Sequence, residues 1–261
     1  MTRVTVCELR DDREGLRHDW AALVGHVQAA ESDLVLLPEM PFHPWLARVD
    51  DVKPDAWDSA MASHKAWLLR VAELGAAVVV GTQPVVRNGL RLNQGFAWTR
   101  EAGVVAGHEK AFLPDEAGFW EASWYDRGPG EFSVLEVHGI RIGFLICTEL
   151  WFNAYARLYA AQGIHLLVVP RATPASSVDK WVAGGRTAAV VAGAFCVSSN
   201  RGGDDGAGMA WGGAGWVIGP DGEVMGVTNQ DQPFRTIDVD LTMADAAKLT
   251  YPRYVPDLAC P

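Results

Sequence analysis

The chain has 261 residues, 49% hydrophobic and 21% charged, which is the make-up of an ordinary folded protein and not of a disordered one; its 11 Trp are the one oddity. A formal net charge of -10 without any run of Lys or Arg argues against a nucleic-acid partner, whose phosphates demand clustered positive charge. Four widely separated cysteines with no CxxC pair suggest neither a zinc site nor a disulfide framework.

In chain order, Arg3 to Glu8 alternates as a strand and has no apolar signal-peptide core, so the cytoplasm is the default location. A helix is expected from about Asp12 to Ala30, a strand over Leu34 to Leu37, a helix from about Pro54 to Leu74, and a strand over Ala77 to Gly81. The middle changes character, with strands near Asn93 to Arg100 and Val104 to His108 and a long loop from Phe112 to Glu131. A hairpin through His138-Gly139 joins Phe132 to Val137 with Arg141 to Ile146. Helices around Asn153 to Gln162 and Asp179 to Ala192 then alternate with strands His165 to Val169 and Ala194 to Ser199. Arg201 to Gly213 reads as a surface loop, and Gly213 to Asp240 as antiparallel strands turned by Pro220-Asp221-Gly222. No apolar run is long enough to span a bilayer, so no membrane partner is expected. The sum is one α/β domain over residues 1–261 with a mixed sheet and helices outside.

Three strand ends carry chemistry. RIGFLICTELW runs a strand into Cys147 and then toward a helix, whose free amides and positive dipole end favour a thiolate. LVLLPE stops at Pro38 and presents Glu39, and VVAGHEK ends on Lys110, whose charge would lower a neighbouring thiol's pKa or bind a developing oxyanion. Taken singly, Glu39 is better read as a turn cap and Lys110 as a solvated surface charge. Cys7 and Cys196, inside apolar runs, read as small buried hydrophobes.

Glu39 in LLPEM, Lys110 in HEKAFLP and Cys147 in GFLICTELWF resemble, in this order, the Glu-Lys-Cys triad of the nitrilase superfamily of carbon-nitrogen hydrolases. The likeness continues through GFWEASWYDRGPG, AAQGIHLLVVP and WGGAGWVIGPDGEVMG, covering nearly the whole chain. It implies a four-layer α-β-β-α sandwich, usually paired into homodimers, and a reaction needing no metal and no cofactor. Glu39 would take the thiol proton and Cys147 attack carbon. Lys110 and the Thr148 backbone N–H would stabilise the tetrahedral intermediate. The second glutamate of many members matches Glu121 better than Glu116.

The resemblance thins at the substrate. Trp120, Trp124 and Trp151 flank the catalytic candidates in sequence, and Trp120 and Trp151 are the two picked to wall a pocket. Two residues depart from the family pattern. Thr148 replaces a common aromatic residue and so changes the pocket's shape. Arg171, after LLVVP, either grips a substrate carboxylate or makes an internal salt bridge to a glutamate or loop Asp. The expected activity is hydrolysis of a small-molecule amide or N-carbamoyl compound through an acyl-thioester. The alternatives are a true nitrilase and a catalytically idle binding protein of the same fold. His108 lies in no context that selects it as the partner of a Cys-His protease, and reads as strand-end structure.

Overall fold

The computed structural model describes residues 1–204 and 208–256. Cys260 and residues 205–207 of the Gly/Asp-rich loop lie outside the described residues. The chain opens with β1 (Thr2–Arg10), α1 (Arg13–Ala29), β2 (Leu34–Leu36), α2 (Pro54–Leu68) and β3 (Val78–Arg87). Next come β4 (Leu90–Thr99), β5 (Gly103–Glu109), the single turn α3 (Glu121–Trp124), β6 (Leu135–Val137) and β7 (Ile140–Phe144). After these follow α4 (Asn153–Ala161), β8 (Leu166–Arg171), α5 (Val178–Ala192) and β9 (Phe195–Gly202). The last elements are β10 (Trp216–Ile218), β11 (Val224–Val227), β12 (Phe234–Val239) and α6 (Leu241–Ala247).

Hydrogen-bonded strands run in the order β5-β4-β3-β2-β1-β9-β8-β7-β6, with β12 on β1 and β10 on β9. Strand β1 joins two halves: Val4 to Val6 pair with Leu34 to Leu36 of β2, while Glu8 to Arg10 pair with Asn200 to Gly202 of β9. The central strands β1, β2, β3, β7, β8 and β9 make parallel pairs, which explains their near-continuous Val/Ile/Leu character. Alternation decides which face each residue serves. Leu34 and Leu36 join the core between the halves, with Phe144 and Val168, while Val35 and Leu37 pack under α1 with Leu16, Trp20 and Leu23.

The two halves lie face to face because Gly95 of β4 and Gly107 of β5 leave room for the Phe144 ring of β7. A Cβ on either glycine would come within 2.7 and 2.9 Å of that ring, so Gly95→Ala would have to push the layers apart. Helices α1 and α2 cover one half; α5, burying Ala188, Ala189 and Ala192, covers the other with α4. These are the four layers that the resemblance implied. Among the described residues no helix is long and apolar enough to cross a membrane.

The main departures from the sequence reading are local. The expected second helix ends at Leu68, a 3-10 turn Val71–Leu74 follows, and Gly75 at φ 78° closes it. The short α6 was not expected. The turn after β7 is also not an α-helix: Cys147 opens a five-residue 3-10 segment that ends at Trp151, and α4 begins at Asn153.

Candidate active site

Glu39, Lys110 and Cys147 each follow a strand, Glu121 opens α3, and the sandwich brings the four together. Glu39 lies beyond β2, where its backbone N–H donates to the Arg171 carbonyl at 3.2 Å and the Met40 N–H to Thr82 Oγ1 at 2.8 Å. Lys110 follows β5, its N–H donating to the Asn93 carbonyl of β4 at 2.9 Å. Cys147 sits on a sharp turn after β7 with φ at 48°, a left-handed conformation that costs a non-glycine residue on the order of 1 kcal/mol or more. Such a cost persists only where the surroundings hold the turn in place.

Lys110 Nζ donates to Glu39 Oε1 at 2.8 Å and to Glu121 Oε2 at 2.5 Å. Asn93 Nδ2 donates to the same Glu39 oxygen at 2.8 Å. Glu39, Lys110 and Glu121 are wholly buried and Cys147 is 3% exposed, so these charges interact with little screening. Burial would lower the Lys110 pKa, but the charges of Glu121, Glu39 and Cys147 raise it, and the ammonium is held. Burial, opposed by Lys110 and reinforced by Glu39, pushes Glu121 up to about 8. With three N–H donors and two carboxylate partners, Lys110 keeps one N–H for another acceptor.

The expectation of an acidic thiol at Cys147 is corrected. Burial, together with Glu39 and Glu121, raises the thiol's pKa, and the pull of Lys110 does not offset them. No long helix starts here to stabilise a thiolate, so the resting group is the thiol. Attack therefore requires a base, and Glu39 has a free, buried oxygen, Oε2, to serve as one.

The residues picked for substrate binding divide. Trp120 is half-buried beside the site, its backbone N–H donating to the Ala47 carbonyl at 2.8 Å, in an aromatic cluster with Trp45, Trp57, Trp124, Tyr125 and Trp211. That cluster accounts for much of the tryptophan excess. Thr148 is partly exposed next to the nucleophile. Trp151, in contrast, packs outward on α5, 4.8 Å from the Trp181 ring and against Gly184, with Lys180 above it.

Arg171 is a second correction. It is wholly buried, 4.0 Å over the Trp216 ring, and donates to Ser198 Oγ, Thr173 Oγ1 and the Gly213 and Ala214 carbonyls. Among the described residues the guanidinium makes no ion pair with Glu39, Glu121 or an Asp, and its donors go to neutral groups of the chain itself.

Four supporting residues were not picked out by sequence reasoning. Asn93 orients Glu39 from β4. Arg201 donates to the Glu39, Met40 and His43 carbonyls and pairs with the buried Asp11, so it anchors the loop that carries the base. His108 and Glu149 form a buried pair at 2.9 Å beneath the nucleophile turn. The only available signal was their place beside a strand end, which surface residues share.

The carbon-nitrogen hydrolase family model matches residues 3–251. A chloroplastic omega-amidase of Arabidopsis thaliana is 26% identical over 95% of this chain and 70% of its own length. A glutamine-dependent NAD(+) synthetase of Rhodobacter capsulatus is 29% identical over 76% of this chain, which spans only 35% of that longer protein. In fold, a carbon-nitrogen hydrolase of Helicobacter pylori G27 superposes with a TM-score of 0.84 at 19% identity, covering 97% of this chain and 94% of the other. The chain thus belongs to the carbon-nitrogen hydrolase family.

Proposed function

We propose that the protein hydrolyses a small primary amide or N-carbamoyl compound, with Cys147 as nucleophile, Glu39 as base, Lys110 as oxyanion partner and Glu121 as the group that orients Lys110 and substrate. The observation that carries this reading is a set of buried acceptors without donors. Glu39 Oε2 and Asn93 Oδ1 have no hydrogen-bond partner, yet belong to one bonded chain that ends on Lys110. An unpaired buried acceptor costs about 1–3 kcal/mol, so two together call for donors from the ligand. A primary amide nitrogen supplies two N–H groups; a nitrile nitrogen supplies none.

The steps follow from these contacts. Glu39 takes the thiol proton as Cys147 Sγ bonds to the carbonyl carbon, and the oxyanion receives the spare Lys110 N–H and the Thr148 backbone N–H. Glu39 then returns the proton to nitrogen, the C–N bond breaks, and ammonia leaves an acyl-thioester. Water attacks the thioester, giving a proton to Glu39; the acid departs and the thiol is restored. The tight packing around Cys147 favours small acyl groups.

A panel of aliphatic amides, N-carbamoyl amino acids and the matched nitriles, scored by ammonia release, tests the reading. Turnover of an amide or carbamoyl compound with the matched nitrile at least about 100-fold slower is expected, the size of effect that unpaired polar groups produce. Faster turnover of the nitrile would replace this reading with that of a nitrilase.

A further inference from the structure

We propose that Glu149, paired with His108, is a positioning residue that fixes the nucleophile turn and the lysine segment to each other through one carboxylate. Its Oε2 accepts the Ile146 N–H at 2.8 Å, the peptide just before Cys147. Its Oε1 accepts the Ala111 N–H at 2.7 Å, the peptide just after Lys110. The two residues whose separation decides whether thiol and ammonium meet at one substrate carbon are thus tied to the two oxygens of a single wholly buried group. The left-handed turn at Cys147 needs such a restraint.

His108 is the side-chain partner of that group. Its Nε2 lies 2.9 Å from Glu149 and its Nδ1 3.0 Å from the Glu131 carbonyl, so both ring nitrogens face acceptors and both must donate. The ring is covered by Phe132, 4.4 Å away. Burial alone would lower its pKa, but Glu149, the Glu131 carbonyl and the neighbouring Glu109 raise it. The other titratable group facing the pair is Tyr159 of α4, whose hydroxyl donates to the Phe144 carbonyl at 3.2 Å and is pushed up by burial and Glu149. A Gln in place of Glu149 would turn an N–H group on one of the two backbone donors.

This role rests on the proposed hydrolase reading, and iodoacetamide, which reports Cys147 without any amide substrate, separates the two. The alkylation rate of Cys147, read by peptide mass spectrometry, is compared in wild type, Glu149→Gln and His108→Gln, with thermal melting as the check on folding. In Glu149→Gln a slowing of about tenfold or more is expected, as for a displaced reacting group. In His108→Gln the partner cation is gone, and because wild-type His108, its pKa raised by Glu149, carries that charge at pH 6 and loses it as pH rises, the rate should stay within about threefold of wild type at pH 8.5 and fall about tenfold below it at pH 6. A purely structural pair would slow His108→Gln equally at both pH values. That result, or a folded Glu149→Gln alkylated at the wild-type rate, overturns the proposal. Variants that behave as expected in an enzyme that turns over no amide, carbamoyl compound or nitrile would leave the positioning role standing and remove the hydrolase reading.

Discussion

Two clusters of buried cations lie at the same end of the sheet and differ in how they are satisfied. Arg171 and Arg201 donate to carbonyls, hydroxyls and, for Arg201, the Asp11 carboxylate, all from the chain itself. Lys110 holds the carboxyl groups of Glu39 and Glu121, and Glu39 and the Asn93 amide bonded to it each keep a bare oxygen. Both clusters are costly to bury, and only one is closed. The closed cluster holds loops in place. The open one leaves buried oxygens for the proposed substrate to meet.

Breaking the open cluster should cost activity first. For Lys110→Ala, kcat should fall about 100- to 1000-fold, the typical loss on removing an oxyanion donor, as measured by ammonia release from a turned-over amide. A variant keeping a tenth of wild-type turnover would take Lys110 out of the mechanism. Breaking the closed cluster should cost stability first. Arg201→Ala strands the buried Asp11 carboxylate and should lower the unfolding free energy by about 3–5 kcal/mol in urea titration. Arg171→Ala should likewise destabilise, by about 2–4 kcal/mol from its orphaned acceptors, while changing the KM values of acidic and neutral amides by the same factor. A selective loss on acidic amides would restore Arg171 as a carboxylate site.

The smallest effect concerns pH. With Glu121 pushed up to about 8 from the ordinary glutamate value of about 4.3, the folded state binds that proton more tightly than the unfolded chain. Its contribution therefore lowers stability as pH rises from about 4 through 8. Glu121→Gln removes the titration, so its melting temperature should fall less over that range than the wild type's. Parallel curves would show that Glu121 is ionised throughout.

The contrast also explains what could be read from the chain. Glu39 and Cys147 were legible because each follows a buried apolar strand of the parallel set, whose ends come to one side of a sheet, whereas Lys110 follows the half-exposed edge strand β5, antiparallel to β4, and stood out only in combination with the other two. The same rule placed Arg171 at that end but could not say which way its side chain turns, and it turns under Trp216. Asn93, Arg201 and the His108–Glu149 pair meet their partners across 54, 162 and 41 residues of sequence, through contacts that exist only once the halves of the sandwich close. The thiol's state was misjudged for a related reason. Local position suggested helix dipole, whereas tertiary burial between two carboxylates decides the pKa.

The central claim is that Cys147 carries the acyl group of an amide. Mass spectrometry of the enzyme quenched during turnover tests it most directly. The account predicts an adduct equal to the acyl mass on the peptide containing Cys147, absent in Cys147→Ala, with ammonia released in step. An adduct on Cys7 or Cys196, or amide turnover by Cys147→Ala, would contradict it.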